Sequence, residues 1–368
     1  MPKKITREWL ERQLYKAYRQ AKKHKGHTKD VYLFEMNLAE NMRQLVEDLF
    51  MGRYKPSRGI AFIIKVPVMR EIFAAPFRDR IVHHFLYNMS YYWWDKRLQH
   101  DSYSCRIGRG SLMGVKRLQH FIKSVSRDYT RPAYVLKLDI QGYFMSLSRK
   151  KLYERVCWGL EAQFAEEKRL CKFMKYIWGE IIFDDPCSGV FIRGSRKDWR
   201  YLPKTKSLFC QPAGHGIVIG NLSSQLLSNI YLDALDRYVT IVLGYKAYGR
   251  YVDDFFIVVE GSQLPQLKKD ITRIEKYLKD DLGLTLHPKK RHLQEVQQGV
   301  EVLGAVIYPG HIEPSRRFKN NFYKAAAEVY MSYRDYASIA SYIGLSKHYN
   351  TKKMTKKLFD YYGWDYRY

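Results

Sequence analysis

The chain has few cysteines and no long apolar segment. Its 368 residues include five Cys, and no two of them have the close spacing of a metal-binding pair. This odd number without a framework favours reduced thiols over disulfides. The N-terminal residues lack the apolar run of a signal peptide, and no span reaches the apolar length of a transmembrane helix. We therefore expect a cytoplasmic protein with no membrane partner.

Familiar glycine-rich nucleotide motifs are also missing. The glycines at positions 108, 110 and 114 do not fit a dinucleotide-binding fingerprint, and no Gly-Lys-Ser/Thr loop is present. His83 and His84 are adjacent on a helical stretch and cannot share a helix face, which argues against a two-His metal site. Neither internal repeats nor low-complexity linkers occur. The length predicts two or three subdomains.

Acidic residues are scarce in comparison with basic ones. Lys and Arg number 64 against 37 Asp and Glu, which gives a formal net charge of +27. An excess of this size suits a polyanionic partner such as nucleic acid. The 31 Tyr, 18 Phe and 7 Trp could stack on bases, although many of these rings must fill the core. The charge is therefore the stronger indication.

One pair of acids lies between apolar β-forming residues. Asp253 and Asp254 interrupt the segment 248–259, whose aromatic and β-branched residues predict a strand, a tight turn and a second strand. An ordinary Asp-containing turn is the simpler interpretation. The pairs 184–185 and 280–281, by contrast, lie in polar or charged surroundings. Carboxylates beside an apolar core are costly unless a cation compensates them, so this hairpin predicts a cation site.

A second acid follows another predicted strand. Asp139 comes near the end of the apolar segment that starts at Ala133, 114 residues before Asp253. If the two strands are neighbours in one sheet, these carboxylates can hold two hard cations, as phosphoryl transfer requires. Mg²⁺ prefers such oxygen ligands. Phe144 could then cap a nucleotide sugar, and Lys289 could donate a proton to pyrophosphate.

Helical and extended segments surround these acids. Apolar spacing predicts helices over 5–21, 34–49, 150–180, 222–238 and 263–281, strands over 60–67 and 300–308, an irregular insertion over 181–212 and a basic helical tail from 316. Asn221 is the predicted N-cap of the helix that follows it. Basic side chains near the strand at 60–67 could hold a triphosphate, or could form a solvated face; they are Lys65, Arg70, Arg78 and Arg80.

The ordered motifs from about residue 60 to residue 310 resemble those of reverse transcriptases. Tyr251 to Asp254 match the Tyr-x-Asp-Asp box, and Asp139 to Phe144 match the first palm motif. The resemblance implies an α+β, right-hand polymerase fold with fingers, a palm with an antiparallel sheet, and a helical thumb. It also implies an RNA-directed DNA polymerase that uses two Mg²⁺ ions, with Mn²⁺ as an alternative, together with template RNA, a cDNA or primer strand and dNTPs.

The resemblance also assigns site residues. Catalytic roles fall on Asp139, Asp253, Asp254 and Lys289, and metal binding on Asp139, Ile140 through its carbonyl, Asp253 and Asp254. The nucleotide-binding residues are Lys65, Arg70, Arg78, Tyr143, Phe144, Ile219, Gly220 and Gln225, with Phe144 as the steric gate against ribonucleotides. Leu303 and Gly304 belong to the primer grip.

The same resemblance divides the chain into subdomains. Residues 1–58 form an N-terminal helical extension, 59–135 the fingers, and 136–158 the first part of the palm. Residues 159–212 form an insertion between fingers and palm, 213–299 the second part of the palm, and 300–368 the primer-grip ribbon and helical thumb.

The loop before the helix predicted over 222–238 resembles that of one group of reverse transcriptases. Many reverse transcriptases have Gln-Gly followed by Ser-Pro here, whereas this chain has Ile219-Gly220 and then Gln225. With these replacements, the loop resembles that of the reverse transcriptases of diversity-generating retroelements. Those enzymes copy a template-repeat RNA with errors at adenines and use a small basic helical accessory protein. Bacterial, archaeal or phage origin is then implied. The alternatives are a group II intron-like, orphan or abortive-infection reverse transcriptase, a palm-fold nucleotide cyclase, or a non-catalytic RNA-binding module.

Overall fold

The computed structural model describes residues 5–26, 28–65, 68–332 and 337–364. Val66 and Pro67, at the end of the strand predicted over 60–67, lie outside the described residues, as do residues 333–336 of the predicted helical tail. Within the described ranges, no helix is both long and apolar enough to cross a lipid bilayer.

Groups of helices and groups of strands follow one another along the described residues. The helices are α1 (Arg7–Lys22), α2 (Lys29–Glu35), α3 (Leu38–Phe50), α4 (Phe77–Asp95), α5 (Ser111–Val125), α6 (Tyr143–Ser146), α7 (Arg149–Gln163), α8 (Lys168–Phe183), α9 (Leu222–Arg237), α10 (Leu264–Asp280), α11 (Arg316–Ser332), α12 (Ala337–Ser346) and α13 (Lys352–Tyr362). The strands are β1 (Ile60–Ile64), β2 (Arg70–Ala74), β3 (Ala133–Ile140), β4 (Phe191–Ile192), β5 (Tyr248–Tyr251), β6 (Asp254–Glu260), β7 (Leu286–Glu295), β8 (Val300–Val302), β9 (Ala305–Tyr308) and β10 (His311–Pro314).

The chain folds into two compact units. The first contains Met1–Gln99, Ile140–Tyr238 and Ile274–Leu286, and the second contains His100–Asp139, Val239–Arg273 and His287–Tyr368. The segment predicted as palm contributes to both units, because the boundary passes between Asp139 and Ile140.

The N-terminal helices of the first unit show how local sequence sets their limits. The Thr6 hydroxyl accepts a hydrogen bond from the Trp9 amide at 3.2 Å and caps α1. The predicted helix over 34–49 is two helices, because Asn37 leaves the helical conformation. The Asn41 side-chain amide donates to the Phe34 carbonyl at 2.8 Å near the end of α2. Asn221 precedes α9 as predicted, but its side chain does not cap the helix.

A three-stranded sheet in the first unit incorporates part of the irregular insertion. β1 and β2 form an antiparallel hairpin, and β4 from the insertion pairs with β1 in parallel. The buried Glu71 on β2 accepts hydrogen bonds from Trp199 Nε1 at 2.6 Å, Ser207 Oγ at 2.7 Å and the Leu208 amide at 2.6 Å. One carboxylate thus ties the later part of the insertion to the sheet.

We expect Glu71→Ala to release this part of the insertion. The change leaves three donors, two of them buried, without their acceptor and should destabilise the first unit by about 3 kcal/mol. Limited trypsin digestion should then cut faster at Lys197, Arg200, Lys204 and Lys206. Glu71→Gln, which keeps one acceptor oxygen, should give an intermediate rate. Digestion of Glu71→Ala at the wild-type rate would contradict the role of Glu71.

The second unit contains a four-stranded sheet in the order β5-β6-β3-β7. β3 and β5 both pair with β6 in antiparallel register. A Cβ atom on Gly249 of β5 would lie 2.5 Å from both the Phe256 ring and the Tyr103 hydroxyl, so only glycine fits there. β7, which contains Pro288, was not among the predicted strands. β7 lies at the sheet edge, where proline is tolerated.

A second antiparallel sheet in this unit has the order β10-β9-β8. It contains the predicted ribbon over 300–308, which turns at Leu303 and Gly304. Val300, Ala305 and Ile307 are buried in the same hydrophobic cluster as Val135 and Phe256 of the larger sheet. This shared core fixes the ribbon on the sheet that bears the acids.

Candidate polymerase active site

Asp139 and Asp254 lie directly opposite each other on adjacent strands. The antiparallel register of β3 and β6 pairs these two residues, and Asp253 lies in the two-residue turn that connects β5 to β6. The two acid-bearing strands are neighbours in one sheet, which is the condition on which the two-cation interpretation depends. Acidic residues from two distant parts of the sequence therefore lie at one end of the sheet.

The turn that contains Asp253 is strained, and side chains of Ser104 and Arg250 form hydrogen bonds with its backbone. Val252 has a φ of +57°, a conformation that a β-branched residue rarely adopts. The Val252 amide donates to Ser104 Oγ at 3.0 Å, and the Val252 carbonyl accepts from the Arg250 guanidinium at 2.9 Å. Arg250 is fully buried and also donates to Ser102 Oγ at 3.1 Å. These bonds compensate the strain and orient the neighbouring carboxylate.

A lysine on the edge strand contacts the first acid. Lys290 Nζ donates to Asp139 Oδ2 at 2.6 Å, and the Asp139 side chain is only 7% exposed. Partial burial lowers the pKa of Lys290, but the hydrogen bond to Asp139 and the charges of Asp139, Asp254 and Asp253 outweigh it, so the pKa is raised. Lys289 is exposed, and its amide donates to His287 Nδ1. The lysine beside Asp139 is therefore Lys290, one residue after the one singled out from the sequence.

Asp254 holds its proton unusually strongly. Part of its side chain is open to solvent. Nevertheless, loss of hydration, the charge of Asp253 and the hydrogen bond to Asp139 raise the pKa of Asp254 to about 7, and the charge of Lys290 opposes this rise. Burial and the neighbouring negative charges thus both disfavour ionisation of Asp254.

We expect Asp254→Asn to stabilise the metal-free protein more at pH 8 than at pH 5. The unfolded Asp ionises near its ordinary pKa of 3.8 and the folded one near 7, so wild-type stability falls as pH rises between these values. Asparagine does not ionise, so the variant does not lose this stability. Thermal unfolding in EDTA at both pH values measures the difference in Tm between the variant and the wild type, with Asp281→Asn as the control. An equal gain at both pH values would contradict the assignment.

The donor set at this end of the sheet suits Mg²⁺. It consists of carboxylate oxygens, and burial together with the charges of Asp253 and Asp139 raises the pKa of Asp254, an effect that a bound cation would oppose. The described residues contain no group of three or more His, Cys, Asp and Glu side chains that could hold a metal ion. Mg²⁺ commonly takes only one or two carboxylates and completes its shell with water and substrate phosphates. The acids therefore fit such an ion as part of a shared site.

A cavity of about 220 Å³ adjoins these acids within the second unit. Its lining includes Asp139, Asp254, Lys290, Lys137 and Leu303, which the sequence resemblance assigns to the primer grip. Lys137 Nζ donates to the Glu301 carbonyl at 2.7 Å, and burial lowers its pKa. Sequence reasoning missed Lys137, although it lies two residues before Asp139 on β3 and so shares its face.

Several predicted nucleotide-binding residues lie together in the first unit. Phe144 and Ile219 pack against the same buried cluster, which includes Phe73 of β2. The Phe73 amide donates to the Ile219 carbonyl at 3.3 Å. Gly220 has a φ of +130°, and a Cβ atom there would lie 3.0 Å from the Phe73 carbonyl oxygen. The loop before α9 is therefore fixed against β2.

Other predicted nucleotide-binding residues have partners inside the first unit. The Arg78 guanidinium donates to Asp48 at 2.9 Å and to Asp79 at 3.0 Å. Lys65 forms an exposed ion pair with Asp198 at 2.9 Å. Tyr143 is buried and donates to the Ser228 carbonyl at 2.6 Å. Arg70 and Gln225 are exposed at the beginnings of β2 and α9.

Comparisons with known proteins support the polymerase architecture. No family model matches the chain. Protein YkfC of Escherichia coli (strain K12) is 23% identical over 314 residues, which cover 74% of this chain and 72% of YkfC.

Solved telomerase structures are similar in fold. Telomerase from Candida albicans with the TWJ fragment of telomeric RNA has a TM-score of 0.51 and 12% identity, over 85% of this chain and 57% of that one. The truncated apo telomerase from Candida Tropicalis has a TM-score of 0.50 and 12% identity, over 70% of this chain and 55% of that one. This chain thus spans little more than half of either telomerase chain. It has the α+β, right-hand polymerase fold, of the kind found in RNA-directed DNA polymerases.

Proposed function

We propose that the chain is an RNA-directed DNA polymerase that makes cDNA by two-metal nucleotidyl transfer. The observation that carries this proposal is the placement of Asp139 opposite Asp254, beside the Asp253 turn, in a polymerase fold. The net charge of +27 suits a template RNA and a primer strand.

The chain's own residues define the chemistry of this proposal. Asp139, Asp253, Asp254 and the Ile140 carbonyl would hold two Mg²⁺ ions. When bound, such ions stabilise the attacking and leaving oxygens of a phosphoryl transfer. Lys289 stays the proton donor predicted from the sequence, and Lys290, whose Nζ donates to Asp139 Oδ2, is a second candidate for that role. Phe144 would exclude ribonucleotides, and Arg70 and Lys65 would contact the triphosphate of the dNTP.

Primer extension on a defined RNA template with Mg²⁺ tests this function directly. The expected product is a templated DNA strand whose synthesis stops when the template or the metal is omitted. Cyclic nucleotides formed without a template, detected by mass spectrometry, would instead identify a cyclase. RNA binding without any incorporation would identify a non-catalytic module.

We further propose the error-prone subtype found in diversity-generating retroelements. Ile219 supports it, because an apolar side chain cannot make the hydrogen bond to nucleotide or template that glutamine makes. The proposed template is a template-repeat RNA, and the proposed partner is a small basic helical accessory protein in the cytoplasm of a bacterial, archaeal or phage-infected cell. Other bacterial reverse transcriptases remain the alternative.

We expect Ile219→Gln to lower misincorporation at template adenines. One restored hydrogen bond, worth about 0.5–1.5 kcal/mol, should improve discrimination roughly two- to tenfold. Sequencing of the cDNA measures the error rate at each template base. Val218→Gln, in the same cluster, is the matched control. If the wild type makes no more errors at adenine than at other bases, the subtype is wrong.

A further inference from the structure

Lys137 connects the strand that bears Asp139 with the ribbon over 300–308. It lies on β3, two residues before Asp139, and its Nζ donates to the Glu301 carbonyl of β8 at 2.7 Å. Lys137 and Glu301 both line the cavity of about 220 Å³ beside the acids. The Lys137 side chain therefore joins two walls of this cavity, one formed by β3 and the other by β8.

The position of β8 explains why a side chain can bond to its backbone. β8 is an edge strand of the sheet β10-β9-β8, so the carbonyls on its outer side have no strand partner. The ammonium group of Lys137 is half-buried, and the hydration that it loses must be replaced by a hydrogen bond. Because the donor is charged, its bond to the Glu301 carbonyl is stronger than one between neutral groups.

The turn at Leu303 and Gly304 is fixed separately to α5 and α11. A Cβ atom on Gly114 of α5 would lie 2.7 Å from Leu303 Cδ1, so the absence of a side chain at Gly114 lets Leu303 pack close to this helix. The Gly304 carbonyl accepts from the amide of Ser315, the residue before α11, at 2.8 Å. Neither contact involves β3. The bond from Lys137 supplies that connection.

We propose that Lys137 is a positioning residue that fixes the turn at Leu303 and Gly304 relative to Asp139. The sequence resemblance assigns this turn to the primer grip, so the inference rests on the proposed function. Lys137 and Asp139 are about 7 Å apart along one strand, and the ribbon is tied to the first of them. A primer held by the turn would then have its 3′ hydroxyl at a set distance from the acids. A displacement of about 1 Å in such a geometry can cost roughly a hundredfold in rate.

Hydrogen exchange of the ribbon tests this connection without any activity. Lys137→Met removes the donor and keeps a side chain of similar length. The amides of 300–308 should then exchange roughly tenfold faster, because the ribbon loses a charged hydrogen bond, while those of α9 should not change. Lys137→Arg keeps a charged donor and should restore the protection. Wild-type exchange of the ribbon in Lys137→Met would overturn the inference.

Single-turnover primer extension with excess enzyme tests the positioning itself. Under these conditions the rate constant does not depend on the fraction of folded protein, so general loss of structure would not change it. Lys137→Met should lower the rate constant about tenfold, with the KM for dNTP and the duplex affinity within about twofold of the wild type. Lys137→Arg should recover most of the rate. Lys268→Met, which removes an exposed charge on α10, is the control and should match the wild type. A wild-type rate constant in Lys137→Met, or a loss confined to duplex affinity, would refute the positioning role.

A double variant shows whether Lys137 acts through the turn. Leu303→Ala removes the packing against α5, so it should loosen the same turn and lower the same rate constant. The effects of Lys137→Met and Leu303→Ala should then be less than additive, and full additivity would contradict the proposal. If the wild type makes no DNA, the proposed function fails. Faster ribbon exchange in Lys137→Met would still support the connection between the ribbon and β3, and unchanged exchange would refute it.

Discussion

Asp253→Asn should reduce primer extension on an RNA template by at least roughly a hundredfold, with little change in duplex affinity. Removal of one group that stabilises transition-state charge typically costs this much. Asparagine has nearly the same shape, and Asp253 lies in a surface turn, so the fold should persist. Single-turnover extension with saturating dNTP measures the chemical step, and anisotropy measures binding. Asp139→Asn should have an equally large effect.

The chain provides a matched control for this experiment. Asp281 belongs to another Asp-Asp pair, and its backbone carbonyl, not its carboxylate, accepts from Lys151 at 2.6 Å. Asp281→Asn removes one negative charge without changing the acids at the sheet end, so it should extend primers at the wild-type rate. If Asp253→Asn and the wild type extend equally well, the two-metal assignment is wrong.

Arg250→Met should destabilise the protein by about 3 kcal/mol and lower extension together with stability. The change leaves the Val252 carbonyl and the Ser102 hydroxyl without their buried donor. The Val252 turn should then relax from its strained conformation, and Asp253 should lose its orientation. Urea unfolding and primer extension measure the two effects.

A second substitution separates support of the turn from general loss of packing. Glycine adopts a positive φ without the cost of about 1–2 kcal/mol that Val252 bears. Val252→Gly should therefore recover part of the stability and activity lost in Arg250→Met. Arg117 Nε donates to Asp101 Oδ1 at 2.7 Å, away from the turn. The effects of Val252→Gly and Arg117→Met on stability should therefore add when the two substitutions are combined. If the effects of Val252→Gly and Arg250→Met on stability also add, the proposed role of Arg250 is wrong.

Local patterns predicted most elements and the acids themselves. Apolar periodicity located α1, α9, α10, β3 and the hairpin of β5 and β6, because each buries one face or a whole strand against the core. The Asp253 pair was distinguished from the other two Asp-Asp pairs only by its apolar neighbours. That local contrast was enough to indicate a charged site at the end of a sheet.

Other features depended on contacts between distant segments. Register and edge position brought Lys290, rather than Lys289, to Asp139, since adjacent residues of a strand face opposite sides. Likewise, nothing around Glu71 in the sequence indicated that its carboxylate holds Trp199, Ser207 and Leu208, more than 120 residues later.

By itself, the sequence determined which residues are acidic, which segments are helical or extended, and that the chain carries a large positive charge. Only the tertiary structure decided that Asp139 faces Asp254 and that buried Arg250 supports the strained Val252 turn. The physical reason is that periodicity records which face of an element is buried. The partners that polar groups find inside the protein depend on strand register and on packing between segments far apart in the chain.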